Sequence, residues 1–394
     1  MKTRITGGRV ILRDGPADGL SVYVEDGRIT AVTDADLPVD EDIDAAGEYV
    51  SPGFVEIHSH GAGGADFLDG SAEAFLTAAE KHARHGVTTL IPTATSAELS
   101  GIVTLDRLLE EANARNTHGA DMPGLHLEGP YFAYGQRGAQ DPRYLRDPRP
   151  EEYMPILDSC RHILRWSVAP ELPGALELGR ELQRRGILAA IGHSDAGYAE
   201  VEAAWNAGYT HVTHLYSGMS SLHRRNAYRY VGVVESAYLL DGMTVEIIAD
   251  GKHLPAELLK FVYKFKGPER TALVTDSMRG AGMPDGPSML GHYQHGLPVI
   301  IEDDVAKLPD RTSFAGSVAT FDRLVRNMLR MAQVPLADVI TMASRTPARI
   351  MDLKDRGEIA PGMRADLTFF DEDIRVSRTM VAGRTVYQKG DGEA

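Results

Sequence analysis

Seven residues of this chain combine a side chain that can ligate a metal or move a proton with a place at the end of a short apolar run: His58, His60, Glu128, His193, His214, Asp250 and Asp276. The first two sit in Ser51-Pro-Gly-Phe-Val-Glu-Ile-His-Ser-His-Gly61. Side chains two apart on a strand point the same way, so a His-x-His at a strand end can grip one cation. Two histidines are half a site. Glu128 in Leu125-His-Leu-Glu-Gly-Pro130, His193 in Ile191-Gly-His-Ser194 and His214 in Thr213-His-Leu215 supply a complement, and Asp276 in Leu273-Val-Thr-Asp-Ser277 joins them as a further candidate metal ligand. Imidazoles with a carboxylate suit Zn²⁺ or Fe²⁺, whereas a ring of oxygens would suggest Mg²⁺ or Ca²⁺. Such a site keeps a position for water, lowers its pKa towards ~7 and needs a carboxylate to take its proton, for which Asp276 is the candidate. Taken singly, a strand-end histidine also reads as a structural one, and Asp250 or Asp276 as a helix N-cap. Independent structural roles would not gather them at the same end of successive strands.

For these side chains to meet, their strands must lie side by side with their carboxyl ends at one edge. Apolar runs at 54–58, 88–92, 124–128, 165–170, 188–193, 211–215, 245–250 and 272–276 alternate with amphipathic stretches, the signal for βα units and a parallel sheet. Helices are predicted over 72–85 before Gly86, over 175–185 with Arg184 and Arg185 in the last turn before Gly186, and over 196–207 before Gly208. Cations in the last turn and glycine just beyond it are stop signals. Eight strands with intervening helices predict an α/β fold, a (β/α)8 barrel of the TIM type, whose chemistry sits at the carboxyl ends of its strands. The polar segment 131–150, rich in Arg, Gly and Pro, follows the third strand and is expected to form a lid.

Both chain ends read differently. Asp26-Gly27 between Leu20-Ser-Val-Tyr-Val24 and Arg28-Ile-Thr-Ala-Val32 is a hairpin signal, and the runs either side of Ala382-Gly383 match it. Each end is too short for its own core. They are therefore expected to pack as one small discontinuous β-sandwich domain, 1–51 with 359–394, beside the barrel over 52–358 that carries the candidate metal site. A chain of 394 residues accommodates both.

Composition narrows the partners. Lys plus Arg number 41 against 56 Asp plus Glu, a formal charge of −15, and no basic stripe offers a nucleic-acid footprint or an anionic-membrane contact. A small anionic metabolite remains compatible, since local cations and backbone amides bind anions whatever the net charge. Cys160 is the single cysteine, which excludes an internal disulfide and is read as an inert structural thiol in a reducing compartment. No apolar run approaches the ~20 residues of a membrane helix, and no hydrophobic region follows Met1-Lys-Thr-Arg, so a cytoplasmic location is expected. Of the 14 histidines, His82, His85, His118, His126, His162, His211 and His292 are read as structural.

The chain resembles the amidohydrolase superfamily and, more closely, its N-acetylglucosamine-6-phosphate deacetylase family. Nearly the whole chain takes part: Pro52-Gly-Phe-Val-Glu-Ile-His-Ser-His60, His126-Leu-Glu-Gly-Pro130, Gly192-His-Ser194, His211-Val-Thr-His-Leu-Tyr216, Ile248-Ala-Asp-Gly-Lys-His253, Val274-Thr-Asp-Ser-Met278, Ala315-Gly-Ser317, Gly357-Glu-Ile-Ala-Pro-Gly362 and Ala365-Asp-Leu367. The first motif marks only the superfamily; the set in this order marks the deacetylases. The resemblance implies a metal held by Glu128, His193 and His214, with Asp276 activating water and His253 contacting substrate. It also implies a second metal at His58 and His60, hence one or two Zn or Fe per subunit, and a homodimer acting on an amino sugar phosphate. Glu128 stands where many superfamily relatives carry a carboxylated lysine.

Departures from the family pattern fall in the substrate region. Ser217-Gly218 replaces the usual Asn-Ala, although backbone amides there could still hold phosphate. His223-Arg-Arg-Asn-Ala-Tyr-Arg229 replaces His-His-Arg-Glu-Pro-Gly, with Arg225 at the position that reaches the phosphate in the neighbouring subunit. Arg279 is an additional cation, expected either to bind an anion or to pair with Asp285 at the surface, and Gln140 stands where many relatives carry a lid histidine. Deacetylation of N-acetylglucosamine 6-phosphate is the expected activity. The alternatives are N-acetylgalactosamine 6-phosphate deacetylation, hydrolysis of an N-acyl amino acid or cyclic amide, and a barrel without catalysis.

Overall fold

Eight strands, all parallel and neighbours in chain order, surround the centre of the molecule: β1 (Phe54–Ser59), β2 (Val87–Ala94), β3 (Leu125–Glu128), β4 (Ile163–Val168), β5 (Leu188–Ile191), β6 (Tyr209–Val212), β7 (Thr244–Ile248) and β8 (Thr271–Val274). The computed structural model describes residues 1–390, so the last four positions of the expected 359–394 piece lie outside the described residues. Every residue of β1 and β2 is buried, as strands covered on both faces must be. The (β/α)8 expectation holds, and each predicted apolar run overlaps one of the strands, with ends displaced by up to three residues.

Closure between β8 and β1 happens at the carboxyl ends. Asp276 N donates to His58 O at 2.9 Å and His60 N to Ser277 O at 2.8 Å. Below them Glu56 spans the same seam, accepting from His58 N and Thr275 N, each at 2.9 Å. The barrel is thus sealed by the backbone of residues that carry the candidate chemistry.

The helices differ from expectation at their ends. The first runs Ala72–Ala83, started by Ser71, whose side chain accepts from Ala74 N. The second is Ala175–Arg184. The third begins at Tyr198 rather than 196, because Glu200 folds back to accept from Gly197 N at 2.7 Å and so fixes the first turn.

Two sheets flank the barrel. One has the order Arg28–Thr33, Ser21–Glu25, Lys2–Thr6, Glu41–Asp44; the other runs Arg384–Gln388, Val376–Val381, Leu367–Phe370, Tyr49–Pro52, Arg9–Leu12, Gly15–Ala17 and so mixes both chain ends. Ile5, Val22 and Ile43 of the first share a core with Val50, Leu367 and Phe369 of the second. The Asp26-Gly27 turn has φ of 50° and 76°, and Ala382-Gly383 has 48° and 74°, the left-handed pair that a two-residue hairpin requires.

One layer is not anticipated by the sequence reading. After β8 the chain inserts a four-stranded antiparallel sheet, Gly286–Leu290, Leu297–Glu302, Val305–Lys307 and Phe314–Ser317, around its own core of Met278, Val299, Ile301 and Ala315. Its last strand continues the barrel seam, with Ser317 N donating to Asp276 O at 2.7 Å. Among the described residues no helix is long and apolar enough to cross a membrane. Cys160 is buried, and burial pushes its thiol up to about 12, in keeping with an inert side chain.

Candidate metal centre and its cavity

Residues just past the strands converge on one point. Glu128 is the last residue of β3, while His193, His214, Asp250 and Asp276 each stand two residues beyond β5, β6, β7 and β8. His193, His214 and Asp276 have φ of 45°, 26° and 47°, a left-handed backbone uncommon for residues with a Cβ. That turn swings each side chain from the strand direction into the barrel mouth, at a strain of order 1–3 kcal/mol each.

Glu128 is the hub. His214 Nε2 lies 3.0 Å and His193 Nε2 3.4 Å from its Oε1, and the two imidazole nitrogens are 3.2 Å apart. On the other side His58 Nε2 is 3.4 Å from Oε1 and His60 Nε2 3.4 Å from Oε2. Two groups result, His58–His60–Glu128 and Glu128–His193–His214, with ligand atoms within 4.8 Å of one another in each. Asp276 Oδ1 is 3.1 Å from His60 Nε2 and 3.5 Å from His58 Nε2. All six side chains are buried.

Does this set fit a metal? His58 Nε2 is buried with no hydrogen-bond partner, although it faces two carboxylates. Buried polar atoms are nearly always satisfied, so an orphan ringed by donor atoms is what a ligand without its ion looks like. Imidazole nitrogens and carboxylate oxygens at this density match the chemistry of a divalent transition metal.

The electrostatics agree. Burial pushes His58 down, but Glu246, then Glu128 and Asp276, outweigh it and raise its pKa to about 9; His60 is raised well above its ordinary value despite the same penalty, through Asp276 and Glu128. Burial opposes ionisation of Glu128 and Asp276, yet the surrounding histidines, His58 foremost, hold both carboxyls below their ordinary range. The cluster therefore stores protons that a cation would displace.

Behind the ligands lies a charged layer that the sequence reading missed. Glu246 Oε1 accepts from His58 Nδ1 at 2.6 Å, while its Oε2 meets Arg165 Nη1 at 2.6 Å and His211 Nε2 at 3.2 Å. Arg165 Nη2 reaches Thr213 Oγ1 at 2.8 Å. A signal was present: Arg165 and Glu246 are charges inside otherwise apolar strands, which no solvated face explains. His211 and His126 keep their structural reading, the latter bonded to Ser167 Oγ at 2.7 Å and held well below its ordinary pKa by burial.

The centre floors a cavity of about 420 Å³. Of the expected substrate residues, Ser217, Gly218, His253 and Gln140 line it. His253 is fixed by Asp250, whose Oδ2 takes its Nδ1 at 2.8 Å and whose Oδ1 accepts from Lys252 N and His253 N. Asp250 thus fixes the orientation of the His253 ring. Gln140 is not an open contact: its Nε2 donates to Glu128 Oε2 at 2.6 Å and its Oε1 accepts from Ser96 N at 2.9 Å, tying the 131–150 segment to the hub.

One expectation needs correction. Arg279 neither faces the cavity nor pairs with Asp285; it is buried and clamped on both oxygens of Asp69 at 2.8 and 3.0 Å and on the carbonyls of Gly64, Met289 and Gly291. Arg225 lies in an exposed hairpin, His223–Arg225 with Tyr228–Tyr230, and does not line the cavity of its own chain. Unforeseen wall residues come from the inserted sheet: Arg311, Thr312, Ser313 and Phe314, just upstream of the Ala315-Gly-Ser317 motif. Phe314 packs on the His253 ring at 4.8 Å.

Comparison with known proteins places this geometry. A model described as the amidohydrolase family matches residues 49–386. The chain is 33% identical over 373 residues to the N-acetylglucosamine-6-phosphate deacetylase of Vibrio furnissii, covering 94% of this chain and 91% of that one. It is 32% identical over 379 residues to the N-acetylgalactosamine-6-phosphate deacetylase of Escherichia coli, covering 95% and 97%. The crystal structure of N-acetyl-D-glucosamine-6-phosphate deacetylase from Mycobacterium smegmatis superposes with a TM-score of 0.87 at 30% identity, over 98% of this chain and all of that one.

Proposed function

The chain belongs to the amidohydrolase family, and from that footing we propose that it hydrolyses the acetamide of an N-acetylhexosamine 6-phosphate, N-acetylglucosamine 6-phosphate first, to the amino sugar phosphate and acetate. The observation that carries the reading is the convergence of two histidine pairs on Glu128, with Asp276 beside them, at the floor of one cavity.

Glu128, His193 and His214 would hold the principal metal, Zn or Fe, and His58 with His60 a second. When bound, such an ion polarises the amide carbonyl and acidifies water. Asp276, whose Oδ1 lies 3.1 Å from His60 Nε2 at the cavity floor, takes the proton of the attacking water and passes it to the departing amine. His253, locked at Nδ1 by Asp250, turns its other ring edge to the substrate and orients the amide. Gln140 holds the hub carboxylate, and the backbone at Ser217 and Gly218 lies where it can meet the phosphate end.

A homodimer in the cytoplasm is the proposed setting. The exposed hairpin bearing Arg225, with Tyr228 and Tyr230 also exposed, supports association of two copies in which Arg225 reaches across. A second substrate reading, N-acetylgalactosamine 6-phosphate, is favoured by the 32% identity to the enzyme named for it. Steady-state assays of both N-acetylhexosamine 6-phosphates and their unphosphorylated forms, with Zn²⁺ or Fe²⁺ supplied, test the proposal. Turnover of neither phosphate would overturn it.

A further inference from the structure

A site that separates a sugar phosphate from the bare sugar needs a cation where the phosphate lies. Neither cation expected from the sequence stands there within one chain: Arg279 is spent on Asp69 and backbone carbonyls, and Arg225 projects from an exposed hairpin. Among the described residues, Arg311 is the only lysine or arginine that lines the cavity.

Arg311 sits in the inserted sheet between Val305–Lys307 and Phe314–Ser317, three residues before the ring that packs on His253. Its φ is 59°, a left-handed conformation that a long side chain adopts only where its surroundings impose it. Glu302 takes its Nε at 2.8 Å and its Nη2 at 3.2 Å, and Pro309 O takes Nη1 at 3.1 Å. A guanidinium carries five N–H groups in a fixed fork. Three are engaged, which leaves one on Nη1 and one on Nη2, a pair suited to two oxygens of one phosphate.

Exposure orders the cavity in the same sense. The Arg311 side chain is 55% exposed and that of Glu128 2%, so an acetamide seated at the buried floor leaves the charged end of the sugar at the rim. A dianion there keeps much of its hydration while gaining the fork, and a neutral hydroxymethyl group gains nothing from it.

We propose that Arg311 is the specificity-determining cation of this cavity and binds the substrate's phosphate in cis, with Glu302 fixing its guanidinium. The identity of the sugar rests on the deacetylase reading given above; the anion site itself does not. Arg225 of a second copy can add to this contact but is not required for it.

The test titrates metal-loaded wild type, R311A, R311K and R225A with glucose 6-phosphate, which has the phosphate and lacks the acetamide. The same proteins are assayed on N-acetylglucosamine 6-phosphate and N-acetylglucosamine. R311A is expected to weaken glucose 6-phosphate binding by about tenfold or more, the usual range for a charged hydrogen-bonded pair. The ratio of kcat/KM for the phosphorylated to the unphosphorylated sugar should fall by a similar factor, carried mainly by KM, and R311K should lie between because lysine keeps the charge without the fork. An unchanged Kd and ratio in R311A, with the loss appearing in R225A instead, would overturn the proposal. Should wild type turn over no N-acetylhexosamine phosphate while R311A still loses glucose 6-phosphate affinity, the deacetylase reading fails and the anion site stands.

Discussion

On the β1 side of the centre His58 lies within its strand and gives its Nδ1 proton to Glu246, itself locked by Arg165; on the β5 and β6 side His193 and His214 stand past their strands in left-handed backbone, and His193 Nδ1 rests on the carbonyl of Gln136, 2.8 Å away in the 131–150 segment. His58 is anchored by buried charge, whereas His193 is held by a strained turn and a loop carbonyl. Only Glu128 belongs to both groups. The two halves should therefore fail for different reasons, and that separation can be measured.

The largest effect is expected at the shared residue. Glu128→Gln should strip metal from both halves, read by elemental analysis, and lower turnover by about 10³-fold or more; retention of one equivalent would show that the halves do not depend on a common carboxylate. Asp276→Asn should lower kcat by about 10²–10⁴-fold while metal content stays at the wild-type value, so that chemistry and metal retention part company. Loss of metal in that variant would show that Asp276 serves as an essential ligand and not only as the base.

Arg165→Met removes the countercharge of Glu246 and should cost about 3–5 kcal/mol in a denaturant titration, because a buried carboxylate is left with only histidines beside it. Metal at His193 and His214 should survive it. The double variant His58→Gln, His60→Gln should lose one metal equivalent and about 10–100-fold in activity without abolishing turnover; disappearance of all metal would mean that the β1 half is the principal one.

The smallest effect concerns His82, which closes the seam from below through Ser59 Oγ at 2.9 Å. Burial lowers its pKa to about 3 from the ordinary 6.5. Above that ordinary value both folded and unfolded chains carry it neutral, and its contribution is intact. As pH falls from 6.5 towards 3 the unfolded chain takes up a proton that the folded one refuses, so stability is lost at about 1.4 kcal/mol per unit. Urea midpoints of wild type and His82→Gln between pH 7 and 5 should converge as the pH drops; parallel curves would remove His82 as the cause.

The strand-end residues were legible because apolar runs, glycine stops and cationic last turns are local signals, and a barrel turns strand ends into neighbours. Arg279 was not, since its partner Asp69 is 210 positions away while the acidic residue near it in sequence, Asp285, is not in contact. The inserted sheet escaped for a related reason: Val305–Lys307 is three residues long, and its hairpin turns on Asp303-Asp304, at φ of 56° and 61°, without the glycine that usually marks such a turn. Arg165 and Glu246 could have been found, because each breaks an apolar strand, but their pairing crosses the barrel and no spacing encodes it.

The seam between β1 and β8 also sets when this centre comes into being. Ser59 and Ser277, which meet at 2.9 Å beside the ligands, are 218 positions apart, so most of the polypeptide must be synthesised before the two sides can touch. Contacts of such sequence separation are slow to form. A nascent or truncated chain that stops short of Asp276 has imidazoles but neither its base nor a sealed barrel, and an ion that binds only the closed form will pull the last step of folding towards completion. Completion of the candidate site and closure of the barrel therefore depend on the same long-range contacts.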